Sequence, residues 1–184
     1  TFTGEPNCKF SKPKHIGKHK RGVKFSNAKM WKASWVDALD KWDSGERTFR
    51  VCKDRGRGML ITGTDLWKNY KVTSDIAIQR VKTGGLAARV QGLNRYYGLV
   101  ISASNKLQLI KVINEPKVLK EIDFDLEYYK DYKLSLKVED NKLSGYLDNK
   151  VVLEFTDNSD VLENGSMVLI VEDGTLVTDE FIEE

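Results

Sequence analysis

From Arg47 onward, apolar and polar positions alternate in short runs rather than in the wider stripes of helices. In residues 132–139, YKLSLKVE, the positions Tyr132, Leu134, Leu136 and Val138 share one parity, and Lys133, Ser135, Lys137 and Glu139 the other. A period of two sends successive side chains to opposite faces of a strand, so one face is buried and the other is wet. RTFRVCK (47–53), GMLITG (58–63), NYKVTSDIAIQRV (69–81), GLAARVQ (85–91), YYGLVIS (96–102) and KLQLIKVI (106–113) carry β-branched or aromatic residues between Gly, Asn, Asp and Ser clusters. VLKEIDF, KLSGYLD, KVVLEFTD, SMVLIVED and TLVTDEFIE continue the series. Asp140-Asn141, Asp148-Asn149 and Asp173-Gly174 tolerate positive φ and suit the two-residue turns that join hairpins. Strands at roughly 8–12-residue spacing predict an all-β, two-sheet antiparallel β-sandwich. The best helical candidate is SWVDALDKW (34–42), with Trp35, Leu39 and Trp42 at i, i+4 and i+7.

At 184 residues one domain is expected, with a basic, irregular segment over 1–46 containing one short strand or helix and the main sandwich over 47–184. The two cysteines, Cys8 and Cys52, have no metal spacing and are expected to be reduced thiols of a cytoplasmic protein. No run approaches the roughly 20 apolar residues of a membrane span, so no membrane partner is expected. The first residue is Thr1, and the chain is expected to be a piece of a longer one. Between Glu5 and Asp37 there are nine basic residues and no acidic one, from Lys9 to Lys32. Such an arm can contact phosphates, but no aromatic platform is interleaved with its charges between Phe10 and Phe25. It reads as a solvated loop, and nucleic acid is not the expected partner.

The stretch GLAARVQGLNRYYGLVIS (85–102) carries polar groups inside apolar runs. If residues 85–91 are a regular strand, Arg89 and Gln91 share a face with Ala87, and the next strand brings Tyr96 or Tyr97 beside them. A guanidinium, an amide and a phenol on one concave face can hold vicinal hydroxyls or an anionic group. The alternative is that Arg89 pairs with an acid and the tyrosines pack in the core with satisfied hydroxyls, which for Tyr97, aligned with Leu99 and Ile101, is the better reading. Trp67 is a candidate stacking platform and equally a core or rim residue. Asp123, Asp125 and Glu127 share a face if extended and, with Asp173 and Asp179, are candidates for a structural calcium only in combination with other loops. His15 and His19 lack a third zinc ligand, and KDRGRGMLITG (53–63) leads into a strand without a phosphate-loop ending. Acids are plentiful, but the sequence marks no pair across a cleft for glycoside hydrolysis.

GRGMLITGTDLWKNYKV, GLAARVQGLNRYYGLVI, YKLSLKVEDNKLSGYLDNKVVLEFTD and GSMVLIVEDGTLVTDEF together resemble a known sandwich module. It is the concanavalin-like (laminin-G or jelly-roll) β-sandwich attached C-terminally to ADP-ribosylglycohydrolase-family proteins. FTGEPNCKF and MWKASWVDALDKW are similar to its opening. The resemblance implies a jelly-roll sandwich with a glycan-binding concave face and a catalytic domain on its N-terminal side. It also implies a structural calcium through an acid in the last strand, where Asp179 stands. The enzyme's acidic metal motifs are absent from this sequence. The expected function is therefore a non-catalytic module that binds a carbohydrate or an ADP-ribose-type ligand through Arg89, Gln91, Arg95, Tyr96 and Trp67. A structural domain packed on its catalytic partner and a glycoside hydrolase are the alternatives.

Overall fold

Twelve antiparallel strands make up the regular structure in a computed structural model that describes residues 36–44 and 49–183. They are β1 (Val36–Asp37), β2 (Lys41–Ser44), β3 (Phe49–Thr62), β4 (Tyr70–Arg80), β5 (Thr83–Gly92) and β6 (Arg95–Ser102). Then follow β7 (Lys106–Ile113), β8 (Glu115–Asp123), β9 (Asp131–Glu139), β10 (Lys142–Leu147), β11 (Lys150–Thr156) and β12 (Ser166–Glu183). Hydrogen bonding connects them in the order β11-β10-β9-β4-β12-β5-β6-β7-β8, and β3 lies along the other side of β12 and pairs with β1 and β2.

One bent ribbon serves both layers. The first part of β12 pairs with β5 through Ser166↔Val90 to Glu172↔Thr83, and its second part pairs with β4 from Thr175↔Arg80 to Glu183↔Val72. Between them the register shifts at Glu172/Gly174, where Asp173 has φ 50°. At this corner the chain leaves the β5-β6-β7-β8 sheet and returns along the β4-β9-β10-β11 sheet. Lys82 bonds Glu172 at 2.6 Å, and Gly56 N donates to the Asp173 carboxylate at 2.6 Å. Asp173-Gly174 thus forms the corner of one strand, where a hairpin turn between two strands was expected. The two other expected turns are present, with Asp140, Asp148 and Asn149 all at positive φ between β9, β10 and β11.

The alternation read from the sequence sorts the side chains. Tyr132, Leu134, Leu136 and Val138 of β9 meet Val72, Ile76 and Ile78 of β4 and Leu99, Ile101, Leu107 and Leu109 of the opposite sheet in one core. Each such aliphatic side chain contributes about 1.5–3 kcal/mol by leaving water. A second apolar cluster, with Met59, Ala87, Tyr96, Val112, Val168 and Ile170, occupies the other face of the β3-β12-β5-β6-β7 sheet and is also buried.

Residues 36–44 form β1 and β2, paired with β3 through Val36↔Ile61 and Lys41↔Cys52; the best helical candidate is thus strand, in a segment expected to hold one short strand or helix. Edge pairing with β3 outweighs the helical spacing of Leu39 and Trp42, since tertiary pairing overrides weak local propensity. Cys52 is disulfide-bonded, in place of the reduced thiol expected. Cys8, the basic segment 9–32, His15, His19 and Trp35 lie outside the described residues. Among the described residues, no helix is long and apolar enough to cross a membrane.

Candidate functional site

Strands β6 and β7 pair in register from Arg95↔Ile113 to Ser102↔Lys106, which places Lys111 directly opposite Tyr97. Tyr97, Leu99 and Ile101 face the main core, and so do Leu107 and Leu109 opposite them. By the same parity Lys111 points inward, and it is buried. A buried ammonium needs a partner, and the chain after β11 supplies one. Asp157 is also buried, and its Oδ2 accepts from Lys111 Nζ at 2.6 Å and from the Tyr97 hydroxyl at 2.5 Å. Lys111 also donates to the Ser159 carbonyl. Ser159 N donates to Asp157 Oδ1 at 3.1 Å, and Leu162 N donates to the Tyr97 hydroxyl at 3.0 Å.

Burial alone would push the Asp157 carboxyl up. Hydrogen bonds from Lys111, Tyr97 and the Ser159 N–H outweigh it and hold the group below the ordinary aspartate value. Burial first, and then the bond to Asp157, push the Tyr97 phenol well above its ordinary value.

Two further buried side chains pin the same loop. Arg89 is only 1% exposed, and its Nη1 donates to the carbonyls of Leu162 and Asp140 at 2.6 Å each. Its Nε donates to Lys68 O at 2.9 Å and its Nη2 to Asn69 Oδ1 at 3.1 Å. The Tyr70 hydroxyl accepts Arg89 N at 2.6 Å and shares its proton between the carbonyls of Gly165 at 2.8 Å and Ser166 at 3.0 Å. Residues 157–165 carry no regular structure, yet they are fixed by Lys111, Tyr97, Arg89 and Tyr70.

The fixed loop forms one wall of a groove of about 530 Å³ between β7–β8 and the end of β11. Ile113, Leu119 and Phe155 provide its half-buried apolar lining. Glu115, Lys117, Thr156, Asn158, Ser159 and Asp160 surround it with exposed polar side chains. An apolar strip with convergent carboxylate, amide, hydroxyl and ammonium groups is the composition of a small-molecule site.

The residues singled out from the sequence do not converge here, and they do not share one face. A register shift between Ala88 and Gly92 interrupts β5, and Arg89 sits there at φ 50°. The bulge moves Val90 onto the face of Ala87 and turns Arg89 toward the interior carbonyls. Arg89 is therefore an internal tether with no carboxylate partner among the described residues, unlike either arrangement considered for it. Tyr96 is fully buried in the second apolar cluster, with Arg57 5.8 Å from its ring centroid. Among the described residues its hydroxyl has no hydrogen-bond partner, and burial pushes the phenol up to about 12. Gln91 and Arg95 alone stay together, through Arg95 Nε to Gln91 Oε1 at 2.8 Å, and both are exposed. Trp67 is a rim residue: it packs edge-on to Tyr70 at 5.6 Å and lies over Gly63, whose φ of 100° and missing Cβ leave room for the indole.

Asp123, Asp125 and Glu127 do not form a common face. Asp123 ends β8 and bonds Lys106 at 2.6 Å, while 125 and 127 lie in the irregular link to β9. Among the described residues no group of three or more His, Cys, Asp or Glu is placed to hold a metal. Asp179 lies in β12 at a register shift, and its side chain is outside the described set.

The groove residues were passed over in the sequence, although a signal was present. Lys111 is a lysine at an inward parity of KLQLIKVI, and DNSD (157–160) is a polar cluster just past a strand.

Residues 46–170 match the family model described as galactocerebrosidase, C-terminal lectin domain. The chain belongs to this lectin-domain family. The match spans every element of the groove, from β7 and β8 to the loop after β11. No curated protein matches the sequence. Among solved structures, the carbohydrate binding module CBM66 from Bacillus subtilis is similar, with TM-score 0.74 and 21% identity over 82% of this chain and 95% of that one. A Bacillus subtilis protein of unknown function with a galectin-like fold gives TM-score 0.66 and 12% identity over 86% of this chain and 92% of that one. Sheep galectin-11 gives 0.51 and 11% over 66% and 95%. These likenesses agree on the fold, a jelly-roll-like β-sandwich. The matches bear on the sandwich implied by the earlier resemblance and not on its ADP-ribosylglycohydrolase partner.

Proposed function

We propose that this lectin-family sandwich is a non-catalytic module that binds a neutral saccharide in the groove between β7–β8 and the 157–165 loop. The observation that carries the reading is the pre-organised wall. Residues 157–165 are held from behind by four buried polar side chains, so Asn158 and Asp160 meet a ligand without first being ordered. Lectin and carbohydrate-binding relatives support the ligand class, and the family name makes galactosides the first ligands to try.

The charges of the groove favour a neutral sugar over an ADP-ribose-type ligand. Its lining holds three carboxylates, Glu115, Asp157 and Asp160, against two ammonium groups, Lys111 and Lys117. The Lys111 ammonium is engaged by Asp157. A pyrophosphate would meet a net negative site with one exposed cation.

Hydrolysis is not the favoured role. A catalytic acid needs a raised pKa, whereas Asp157 is buried, paired and shifted the opposite way. A domain that only packs on a partner would present a contiguous apolar sheet face. Among the described residues the exposed large apolar side chains are instead Leu66, Leu93, Val118, Tyr128, Tyr129 and Val151, spread over several loops and strands, with only Tyr128 and Tyr129 adjacent in sequence.

A thermal-shift panel of galactosides, other neutral oligosaccharides and ADP-ribose tests the reading. Occupancy at 100 times Kd adds about 2.7 kcal/mol, roughly 5–10 °C for a chain of this size. A rise with a neutral saccharide that is reduced in Lys117→Ala or Asp160→Gly supports the groove. The Asp160→Gly change suits the φ of 54° at that position. A rise with ADP-ribose alone would overturn the neutral-sugar assignment.

A further inference from the structure

Nine non-glycine residues of the described chain have positive φ, and seven of them are Asn or Asp, the types that adopt this conformation at low cost. The two exceptions are Arg89 and Tyr129. Arg89 is accounted for: its left-handed backbone aims the N–H at Tyr70 and the guanidinium at three interior carbonyls. Tyr129 has no such account. At φ 66° its ring is 73% exposed, and the neighbouring Tyr128 ring is 50% exposed. A bulky residue in this conformation is an outlier that persists only where its surroundings hold it.

The surroundings do hold it. In the link between β8 and β9, Phe124 and Leu126 turn into the main core, and Phe124 packs edge-on against Tyr132 at 4.9 Å. Glu127 N donates to the Tyr132 hydroxyl at 2.8 Å, and Tyr129 N donates to Ile78 O at 2.7 Å. Lys130 pairs with Glu127 and lies 5.5 Å from the Tyr132 ring centroid. The backbone is thus anchored on both sides of two tyrosines that point into solvent. Nothing in the packing needs an aromatic side chain at 129, and asparagine would hold the turn with less strain.

We propose that Tyr128 and Tyr129 form a second saccharide platform, on which the apolar C–H face of a pyranose ring stacks. Asp125, Glu127, Lys130 and Asp131 flank the pair in sequence and carry groups able to bond sugar hydroxyls. The platform rests on the lectin reading of the chain but is separate from the groove. The groove lies where β7 ends and β8 begins, whereas the tyrosines lie past the far end of β8, a strand of nine residues. The groove lining runs along β8 as far as Leu119, so at about 3.3 Å per residue the two sites are on the order of 20 Å apart, toward opposite ends of the sandwich. One module would then hold two sugars of a polymer or of a glycan-covered surface, and linked sites gain avidity without new contacts.

The test is NMR of the 184-residue chain with ring-labelled tyrosine. Probes are methyl β-galactoside, methyl α-glucoside, N-acetylglucosamine and their short oligomers. The expected result is a saturable shift of the Tyr128 and Tyr129 ring signals with at least one probe, retained in a Lys117→Ala/Asp160→Gly groove variant. Tyr129→Asn, with its melting temperature unchanged or raised, is expected to weaken that event about tenfold or more, the order of one stacked ring. If a sugar binds and the groove variant removes all binding while both rings stay silent, the platform is overturned and the lectin reading stands. If Tyr129→Asn removes all binding and the groove variant removes none, the platform stands and the groove assignment falls. If no probe shifts any signal of the chain, both are overturned.

Discussion

Asp157 lies where one strand ends and a binding wall begins, and its carboxylate is engaged by the ammonium and phenol beneath it and by the loop N–H beside it. Asp157→Ala leaves the Lys111 ammonium buried without its carboxylate. Urea unfolding at pH 7 should register a loss of about 3–5 kcal/mol. The sign of the acid response follows from the depressed folded pKa. The stabilisation is complete above the ordinary aspartate value of 3.8 and is lost as pH falls through the folded value. The gap between wild type and Asp157→Asn should therefore narrow below about pH 4; a gap that is constant down to pH 2 would contradict the pairing. Arg89→Lys replaces a planar fork by a point charge that cannot reach Lys68 O, Asp140 O and Leu162 O together. Denaturant unfolding should show a loss of about 2–3 kcal/mol despite the retained charge. Tyr129→Asn should have the opposite sign, a gain of up to about 1 kcal/mol from relief of the left-handed backbone.

At the scale of elements, hydrophobic alternation was enough to place the strands, and the exceptions have local causes. Strands β4 to β11 follow the runs read from the sequence: β9 alternates because one face is wetter, whereas β5 and β6 are apolar runs buried on both faces. The β5 bulge was not legible, since nothing in GLAARVQG marks a residue of left-handed φ, and a single-residue shift exchanges the faces of everything beyond it. That shift separated Arg89 from Gln91, so the five residues expected to form one site do not share a face. The helical candidacy of residues 34–42 fails over 36–44 because two short edge strands depend on β3 and on no periodicity of their own. The corner at Asp173-Gly174 was visible as a turn signal but not as a strand that serves two sheets. A Cβ on Gly174 would lie 1.7 Å from Arg80 O. Gly174→Ala is expected to cost more than about 3 kcal/mol, seen as a fall in melting temperature; a variant that melts like wild type would mean the corner opens freely.

For the molecule as a whole, the fold class and the lectin-like character were legible, whereas the proposed groove was not. A sandwich places its edge strands and end loops by topology, and β8 and β11 stand at opposite ends of the hydrogen-bonded strand order yet enclose one groove. Sequence proximity favoured the 85–102 stretch, and the structure gives most of it to the core and to loop tethering. The groove in turn depends on buried groups that never meet a ligand, Arg89, Tyr70 and Tyr97 among them. The central claim is that this pre-organised groove binds a neutral saccharide, and calorimetric titration of galactosides into wild type and Lys117→Ala/Asp160→Gly tests it most directly. The account predicts saturable binding in wild type that falls at least tenfold in the double variant while both chains melt alike. Equal affinity in the two chains would contradict it.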